Sequence, residues 1–214
     1  MGLFVTFEGP EGSGKTTQIR LLAEWLRQRG ADVLLTREPG GTRIGDAVRG
    51  LLLDPANTEM RAETEFLLFS AARAQIVGQI IRPHLAQGGV ALCDRFADSS
   101  LAYQGYGRRL DLATLKVVTA FATGGLTPDL TVCLDLPVIE GLRRKQGGDQ
   151  IEWNRMERER LEFHERVRAA FLSLAAADPS RWLVLDALRG VDEVQGEIRR
   201  RVADLLAQNE RRDT

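Results

Sequence analysis

The chain has 214 residues, of which 43% are hydrophobic, a size that suits one well-buried core and is short for two. Its 29 basic and 30 acidic residues nearly cancel, and the arginines are scattered instead of forming a basic tail, which argues against a protein that coats nucleic acid. No apolar stretch approaches the length of a membrane span and no basic leader precedes the first strand, so we expect a cytoplasmic protein with neither a membrane nor a nucleic acid as its partner.

Short β-like runs alternate with helical patterns along the chain. This alternation predicts an α/β fold of three layers, a doubly wound five-stranded parallel sheet covered on both faces, in a single domain of residues 1–214. The predicted strands are residues 4–8, 32–37, 90–94, 130–136 and 182–186. The predicted helices are residues 15–29, 43–53, 63–85, 111–123 and 191–208, and Pro83 is expected to end or kink the third of them.

One glycine-containing stretch interrupts this alternation. Residues 146–150 read Gln-Gly-Gly-Asp-Gln, with three basic residues before them and Asn154 and Arg155 after them. We expect residues 143–155 to form a mobile, arginine-bearing lid next to a ligand site.

The most specific motif lies between the first strand and the first helix. Residues 9–16 read Gly-Pro-Glu-Gly-Ser-Gly-Lys-Thr, a full match to the phosphate-loop pattern G-x-x-x-x-G-K-[ST]. Backbone N–H groups of such a loop and the positive end of the following helix attract phosphate oxygens. The motif therefore predicts binding of a nucleoside triphosphate, ATP, by Gly9, Pro10, Glu11, Gly12, Ser13, Gly14, Lys15, Thr16 and Thr17. Lys15 can reach the β- and γ-phosphates, and the Thr16 hydroxyl can bind Mg²⁺.

Two further motifs follow strands at the edge where open α/β sheets bind their ligands. After the third strand, the Asp94 carboxylate can hold Mg²⁺ or its waters, and the Arg95 guanidinium can clamp a second phosphate. Residues 36–42, Thr-Arg-Glu-Pro-Gly-Gly-Thr, can wall a second small-molecule pocket. The alternatives are that the first motif merely caps a helix and that the second is a simple loop.

The reaction type follows from what the chain lacks as well as from these motifs. No Ser/His/Asp or Cys/His constellation is evident, and neither histidine lies near a motif. This pattern favours phosphoryl transfer to an acceptor phosphate, whose oxygen is already anionic and needs no general base.

In order and spacing, four segments of this chain resemble those of bacterial thymidylate kinases. They are Phe7-Glu8-Gly9 leading into the phosphate loop, residues 36–42, residues 66–75, and Asp94-Arg95-Phe96 through Ala102-Tyr103-Gln104-Gly105. The resemblance covers about residues 3–205. It implies transfer of the γ-phosphate of ATP to dTMP, giving dTDP, with Mg²⁺ and in a homodimer.

The resemblance also implies roles for individual residues. It places Glu11 at the 3′-hydroxyl of dTMP, Arg49 and Arg95 at its phosphate, and Tyr103 against the deoxyribose, where a 2′-hydroxyl would otherwise lie. Glu38 is expected near Mg²⁺-bound water or the acceptor phosphate.

The base pocket implied by the resemblance combines an aromatic ring with polar groups. Phe69 would stack on thymine and Arg73, one helical turn later, would donate to a ring carbonyl. Ser100 and Gln104 would face the base edge, and Ser99 is expected among the substrate-binding residues.

The catalytic lid arginine is less clearly indicated. Some relatives carry Arg in the phosphate loop where this chain has Gly12, so the resemblance implies that a lid arginine stabilises the transferred charge. Several relatives have an alternating Arg-x-Arg-x-Arg lid, but residues 143–148 read Arg-Arg-Lys-Gln-Gly-Gly. The candidates are Arg144 and Arg155, with Arg155 preferred, acting together with Lys15, Asp94 and Arg95.

Two other functions compete with this one. A kinase of another nucleoside monophosphate would differ in the base pocket, whereas a nucleotide-dependent switch protein would leave the second-substrate residues idle. The homodimer is favoured by the helix at residues 63–85, which has apolar residues on more than one face: Phe66, Leu67, Ile76, Ile80 and Ile81. The alternative is that the sheet and a neighbouring helix cover these residues within one chain.

Overall fold

The computed structural model describes residues 2–146 and 155–212, and in them five parallel strands form one sheet. The strands are β1 (Leu3–Glu8), β2 (Val33–Arg37), β3 (Val90–Asp94), β4 (Leu130–Asp135) and β5 (Trp182–Asp186), in the order β2-β3-β1-β4-β5. Leu3 of β1 lies opposite Val90 of β3, and Val5 lies opposite Leu130 of β4. The predicted doubly wound α/β class is confirmed, and each predicted strand agrees with the observed one to within a residue at either end.

Helices join these strands and cover both faces of the sheet. They are α1 (Lys15–Arg27), α2 (Arg43–Leu53), α3 (Ala62–Ile76), α4 (Arg82–Ala86), α5 (Ala97–Ser100), α6 (Leu112–Thr123), α7 (Val138–Gln146), α8 (Leu161–Ala177) and α9 (Val191–Arg212). Two π-helical segments, Val77–Ile81 and Leu101–Gly107, continue α3 into α4 and extend α5.

Successive side chains of β1 point to opposite faces of the sheet, and each face is covered by its own layer of helices. Leu3, Val5 and Phe7 pack into a core with apolar residues of α1 and α9. Phe4 points to the opposite face, into a core with α3 and the π-helical segment that follows it. Because successive side chains of a strand point to opposite faces, a strand buried on both sides must be apolar on both. Every residue of β1 is accordingly buried.

The helical connections differ from the predicted ones: the third predicted helix is interrupted, and α5 with its π-helical extension, α7 and α8 were not predicted as helices. The helix predicted at residues 63–85 changes to π-helical geometry before Pro83, and the N–H of Arg82 donates to the carbonyl of Val77. A proline has no N–H for the regular ladder, so the break at this position follows the expected rule. Helix α8 was not predicted, although Phe163, Val167 and Phe171 recur at helical spacing and pack into the core.

Burial on α3 supports the single-chain alternative to the dimer argument. Phe66, Ile76 and Ile81 are buried within this chain, and Ile80 packs against the same core. Only Leu67 of the predicted set is exposed. The apolar character of this helix is therefore mostly explained by the fold, and of the residues that predicted a dimer only Leu67 is available for a contact between chains.

Two further findings concern the cysteines and the length of the helices. Cys93 of β3 and Cys133 of β4 are both buried free thiols. In the part of the chain that the structure describes, no helix is long and apolar enough to cross a bilayer.

Candidate active site

The phosphate loop turns sharply between β1 and α1. Gly9, Gly12 and Gly14 have φ values of 132°, 71° and 87°, in the region that favours glycine. Lys15 lies across the turn, and its Nζ donates to the carbonyl oxygens of Gly9 at 3.1 Å and Pro10 at 2.8 Å. Burial, reinforced by the charge of nearby Arg95, lowers the pKa of Lys15 to about 8. The loop thus holds its one cationic side chain over a ring of backbone groups.

The backbone of the phosphate loop contacts the backbone of helix α7 at two glycines, Gly12 and Gly141. A Cβ on Gly12 would lie 2.2 Å from the carbonyl oxygen of Gly141, and a Cβ on Gly141 would lie 2.2 Å from the carbonyl oxygen of Glu11. Neither contact leaves room for a side chain, since both neighbours are backbone atoms. This close approach carries the basic end of α7, Arg144 and Lys145, to the mouth of the loop.

Thr16 and Asp94 meet beside the loop, as the sequence predicted. The Thr16 hydroxyl donates to Oδ2 of Asp94 at 3.1 Å, across 78 residues of chain. Both are oxygen ligands of the kind that Mg²⁺ prefers. Parallel pairing of β1 with β3, with Phe7 opposite Asp94, brings the two motifs to one edge of the sheet.

Arg95 adopts a left-handed backbone conformation, with φ of 67°, that Glu8 helps to fix. The buried carboxylate of Glu8 accepts from the Phe96 N–H at 2.8 Å and from the Ser99 hydroxyl at 2.6 Å. Burial raises the pKa of Glu8 to about 7 against the opposing charge of Arg95. Glu8, which was not predicted as a site residue, therefore shapes the turn that presents Arg95 and Ser99.

The guanidinium of Arg95 connects the loop to Tyr103. Its Nη2 donates to Oε1 of Glu11 at 2.7 Å, and its Nη1 donates to the carbonyl of Gly9 at 3.2 Å. Tyr103 donates its hydroxyl to the same Oε1 of Glu11, and its ring lies 5.0 Å below the guanidinium. Burial acts to raise the pKa of Glu11, yet the charges of Arg95, Lys15 and Lys145 hold it at about 2.

A single cavity of about 980 Å³ collects most of the predicted site residues. The ones on its wall are Glu11, Gly12, Ser13, Gly14, Lys15, Thr16, Thr17, Glu38, Arg49, Phe69, Asp94, Arg95, Ser99, Ser100, Tyr103, Gln104 and Arg144. Arg37, from the predicted pocket wall at residues 36–42, and Lys145, from the predicted lid, also line it. Arg20 of α1 lines it too and was not predicted to, since its basic character is shared by many other arginines of the chain.

Arg73 lies behind this wall and not on it. It is only 1% exposed, and its Nε donates to Oε2 of Glu38 at 2.8 Å. Nη1 donates to the hydroxyl of Ser100 at 3.0 Å, and Nη2 to the carbonyl of Phe96 at 3.1 Å. Burial raises the pKa of Glu38 to about 7, and Arg73 opposes that rise. The structure thus places Glu38 beside Arg73 and Ser100 at the predicted base pocket, while Phe69 forms part of the wall itself.

The two candidate lid arginines occupy different surroundings. Arg144 donates to Oε1 of Glu140 at 2.9 Å and to the carbonyl of Ala187 at 3.1 Å, on the wall of the cavity. Arg155 pairs with the buried Glu65 at 2.5 Å and donates to the carbonyl of Leu52. Residues 147–154 of the predicted lid lie outside the described part of the chain.

These features define a class of protein. A doubly wound sheet with a phosphate loop, a Thr–Asp pair for a hard cation and a second basic pocket in the same cavity is the architecture of a phosphate-loop nucleotide kinase. Residues 7–198 match the family model described as thymidylate kinase. The chain belongs to the thymidylate kinase family.

Similar proteins cover nearly the whole chain. It is 54% identical to the thymidylate kinase of Roseiflexus sp. (strain RS-1), an alignment that covers 100% of this chain and 99% of the relative. It is 55% identical to that of Deinococcus radiodurans, over 92% of this chain and 94% of the relative. The crystal structure of thymidylate kinase from Ehrlichia chaffeensis superposes with a TM-score of 0.76 at 34% identity, over 94% of this chain and 98% of that one.

Proposed function

We propose that this enzyme transfers the γ-phosphate of ATP to dTMP and forms dTDP, for the synthesis of dTTP. Membership of the thymidylate kinase family supports this activity. The observation that most supports it is that one cavity is lined both by the phosphate loop and by two further cationic side chains, Arg49 and Arg95. Two phosphates held in one cavity can be aligned for direct transfer, and this alignment supplies most of the catalysis in this chemistry.

The donor side is formed by the loop and its neighbours. Gly9–Thr17 would cradle the ATP phosphates, with Lys15 moving its hydrogen bonds from loop carbonyls to phosphate oxygens. Mg²⁺ fits the Thr16–Asp94 pair because both offer hard oxygen atoms 3.1 Å apart. When bound, the ion would neutralise charge on the phosphates.

The acceptor side follows from the remaining wall residues. Arg49 and Arg95 would bind the dTMP phosphate, and Glu11, which accepts from Tyr103, would accept from the sugar 3′-hydroxyl. Phe69 would stack on the base. Arg73 would act on the base through Ser100: because Oγ accepts from the guanidinium, the hydroxyl proton is free to donate to a ring carbonyl.

A substrate panel tests this proposal. ADP formation would be measured with dTMP, dUMP, AMP and CMP as acceptors, at fixed ATP and Mg²⁺, and with no acceptor. We expect ADP release to depend on dTMP and to be weakest with AMP and CMP. Preference for another monophosphate would support the other kinase, and ADP release without any acceptor would support a nucleotide-dependent switch.

Replacing Gly141 with Ala should impair transfer by at least about tenfold, because misplacing catalytic groups by a fraction of an ångström is costly. The new Cβ would lie 2.2 Å from the Glu11 carbonyl oxygen, so α7 or the loop must shift. The matched control is Gly196→Ala, in helix α9, where nothing lies within 4 Å of the added Cβ. Steady-state kinetics on both variants would check the prediction, and equal activity of the two would contradict it.

We also propose a cytoplasmic homodimer. Its contact surface would be an apolar face on α3 and α6, where Leu67 is 56% exposed, Val117 71% and Phe121 88%. Isolated exposed apolar residues are common, but three on two adjacent helices form a patch suited to a symmetric contact. The cytoplasm is favoured by the two unpaired cysteines.

Replacing Phe121 with Glu should convert this dimer into a monomer, since it would bury a charge in an apolar contact. Light scattering at low micromolar concentration should give twice the chain mass of 23.7 kDa for the parent and 23.7 kDa for the variant. Val191→Glu changes another exposed apolar residue, at the start of α9, and should leave the mass doubled. A parent mass near 23.7 kDa would refute the dimer.

A further inference from the structure

A buried carboxylate stands behind the base side of the cavity without lining it. Glu65 of α3 is 0% exposed, and its two oxygens accept from three side chains. Oε1 accepts from Nε2 of Gln104 at 2.8 Å and from Nε of Arg108 at 3.2 Å. Oε2 accepts from Nη2 of Arg108 at 3.0 Å and lies 2.5 Å from Nη2 of Arg155.

The contact with Gln104 fixes the orientation of an amide on the cavity wall. A carboxylate can only accept, so the NH₂ of Gln104 must face Glu65 and its carbonyl oxygen must face the other way. Gln104 itself lines the cavity, and no side chain or backbone group in the described part of the chain donates to its Oε1. The amide therefore offers the cavity an acceptor.

A neighbouring group supplies the complementary donor. Ser100 lines the same cavity, and because its Oγ accepts from Arg73, its hydroxyl proton points away from that guanidinium; within residues 2–146 and 155–212 this proton has no acceptor. A donor beside an acceptor matches the C4 carbonyl and the N3–H of thymine. Cytosine presents the reverse, an amino group at C4 and an unprotonated N3.

We propose that Glu65 is a positioning residue for base specificity, which orients the Gln104 amide so that the site accepts from N3–H of thymine and disfavours cytosine. The inference rests on the proposed dTMP kinase activity and deepens it. Glu65 would not contact the substrate, because it acts through Gln104.

Arg108 and Arg155 keep the Glu65 carboxylate ionised, so that it can only accept hydrogen bonds. Burial acts to raise the pKa of Glu65, but the hydrogen bonds and charge of Arg108, with Gln104 and Arg155, hold it below its ordinary value. Glu65 is thus ionised throughout the neutral range and cannot donate to Gln104. A structural ion pair with Arg108 and Arg155 alone would not require a polar residue from the cavity wall as a third partner.

The isosteric substitution Glu65→Gln is expected to reverse the orientation of the Gln104 amide. In Glu65→Gln, an oxygen at the Oε2 position keeps the contacts with Nη2 of Arg108 and Nη2 of Arg155 and gives up only the longer contact with Nε of Arg108, which places the new NH₂ toward Gln104. Gln104 would then turn its oxygen to residue 65 and present NH₂ to the cavity. A donor at this place favours the unprotonated N3 of cytosine.

The test compares dTMP with 5-methyl-dCMP, which differ only in the C4 group and N3 protonation. We expect the ratio of kcat/KM for dTMP over 5-methyl-dCMP to fall by about tenfold or more in Glu65→Gln, since an unmatched hydrogen-bonding group is strongly rejected in such sites. The control Arg108→Met removes the ion pair between Arg108 and Glu65 but leaves the contacts of Glu65 with Arg155 and Gln104, so its ratio should equal that of the parent. The thermal midpoint of each variant would be recorded with the ratio.

The double variant Glu65→Gln with Arg108→Met keeps the test valid if the single variant does not fold, because it removes a partly buried cation together with the buried anion. A ratio that falls in Glu65→Gln, or in the double variant, and not in Arg108→Met supports the inference. An unchanged ratio in a folded Glu65 variant overturns it, as does an equal fall in Arg108→Met. A parent enzyme that does not phosphorylate dTMP would instead overturn the proposed function itself.

Discussion

Replacement of Lys15 by Met is expected to lower kcat/KM for phosphoryl transfer by about 10²–10³, the usual cost of losing one preorganised charged donor. Lys15 is the cation that the phosphate loop itself contributes, and its Nζ already lies among the oxygens of Gly9, Pro10 and Ser13. Met retains most of the volume of the aliphatic stem and removes the charge. Steady-state kinetics with dTMP and ATP would measure the loss.

The fold should survive this substitution. Within the described residues the ammonium group bonds to oxygens of its own loop, so the sheet and the hydrophobic cores are not involved. Lys116→Met, at an exposed position on α6, is the matched control and should keep near-parental activity. Activity of Lys15→Met within tenfold of the parent, with an unchanged thermal midpoint, would contradict the assignment of the loop as the phosphate site.

Replacement of Arg144 by Ala is expected to lower kcat by about 10²–10³ with a smaller change in KM for dTMP, because a charge that acts on the transferring phosphoryl group is felt mostly in the transition state. Arg144 lies on the cavity wall next to Lys145, at the end of α7 that packs on the phosphate loop. In this structure its guanidinium binds the partly exposed carboxylate of Glu140 and the carbonyl of Ala187, which follows β5. It can exchange these two contacts for a phosphate.

Replacement of Arg155 by Ala is the companion measurement. The preference for Arg155 from the sequence remains a prediction, but its contacts with Glu65 and the Leu52 carbonyl favour a structural role. We expect Arg155→Ala to lower the thermal midpoint more than kcat, since Arg108 and Gln104 still satisfy Glu65. A large loss of kcat in Arg155→Ala together with near-normal Arg144→Ala would restore the original preference.

The features predicted correctly from the sequence are those encoded in contiguous residues. The strands are apolar runs between turns, and the phosphate loop needs only its own eight residues and the elements on either side. The meeting of Thr16 with Asp94 was also predictable, because parallel strands bring their carboxyl ends to one edge whatever the details of packing.

The sequence was less informative about whether a residue lines the cavity or lies behind the cavity wall. Phe69 and Arg73 share a helix face by spacing, yet Phe69 lines the cavity while Arg73 lies behind it with Glu38 and Ser100. Similarly, the apolar pattern of α3 could not say that Phe66 and Ile76 are covered by the same chain and that Phe121 of α6 is exposed. Periodicity identifies a buried face but not what buries it.

The sequence by itself determined the fold class, the phosphate-loop motif and the family, because each is written in local patterns or in motifs whose order along the chain is diagnostic. Only the tertiary structure decided the contact of Gly12 with Gly141, the separation of Arg144 from Arg155, and the place of Glu65 behind Gln104. These pairs are far apart in the chain and carry no shared motif. Their partners are selected by packing, by the need of a buried charge for a counter-charge, and by the need of a buried polar atom for a hydrogen bond, all of which act only once the chain has folded.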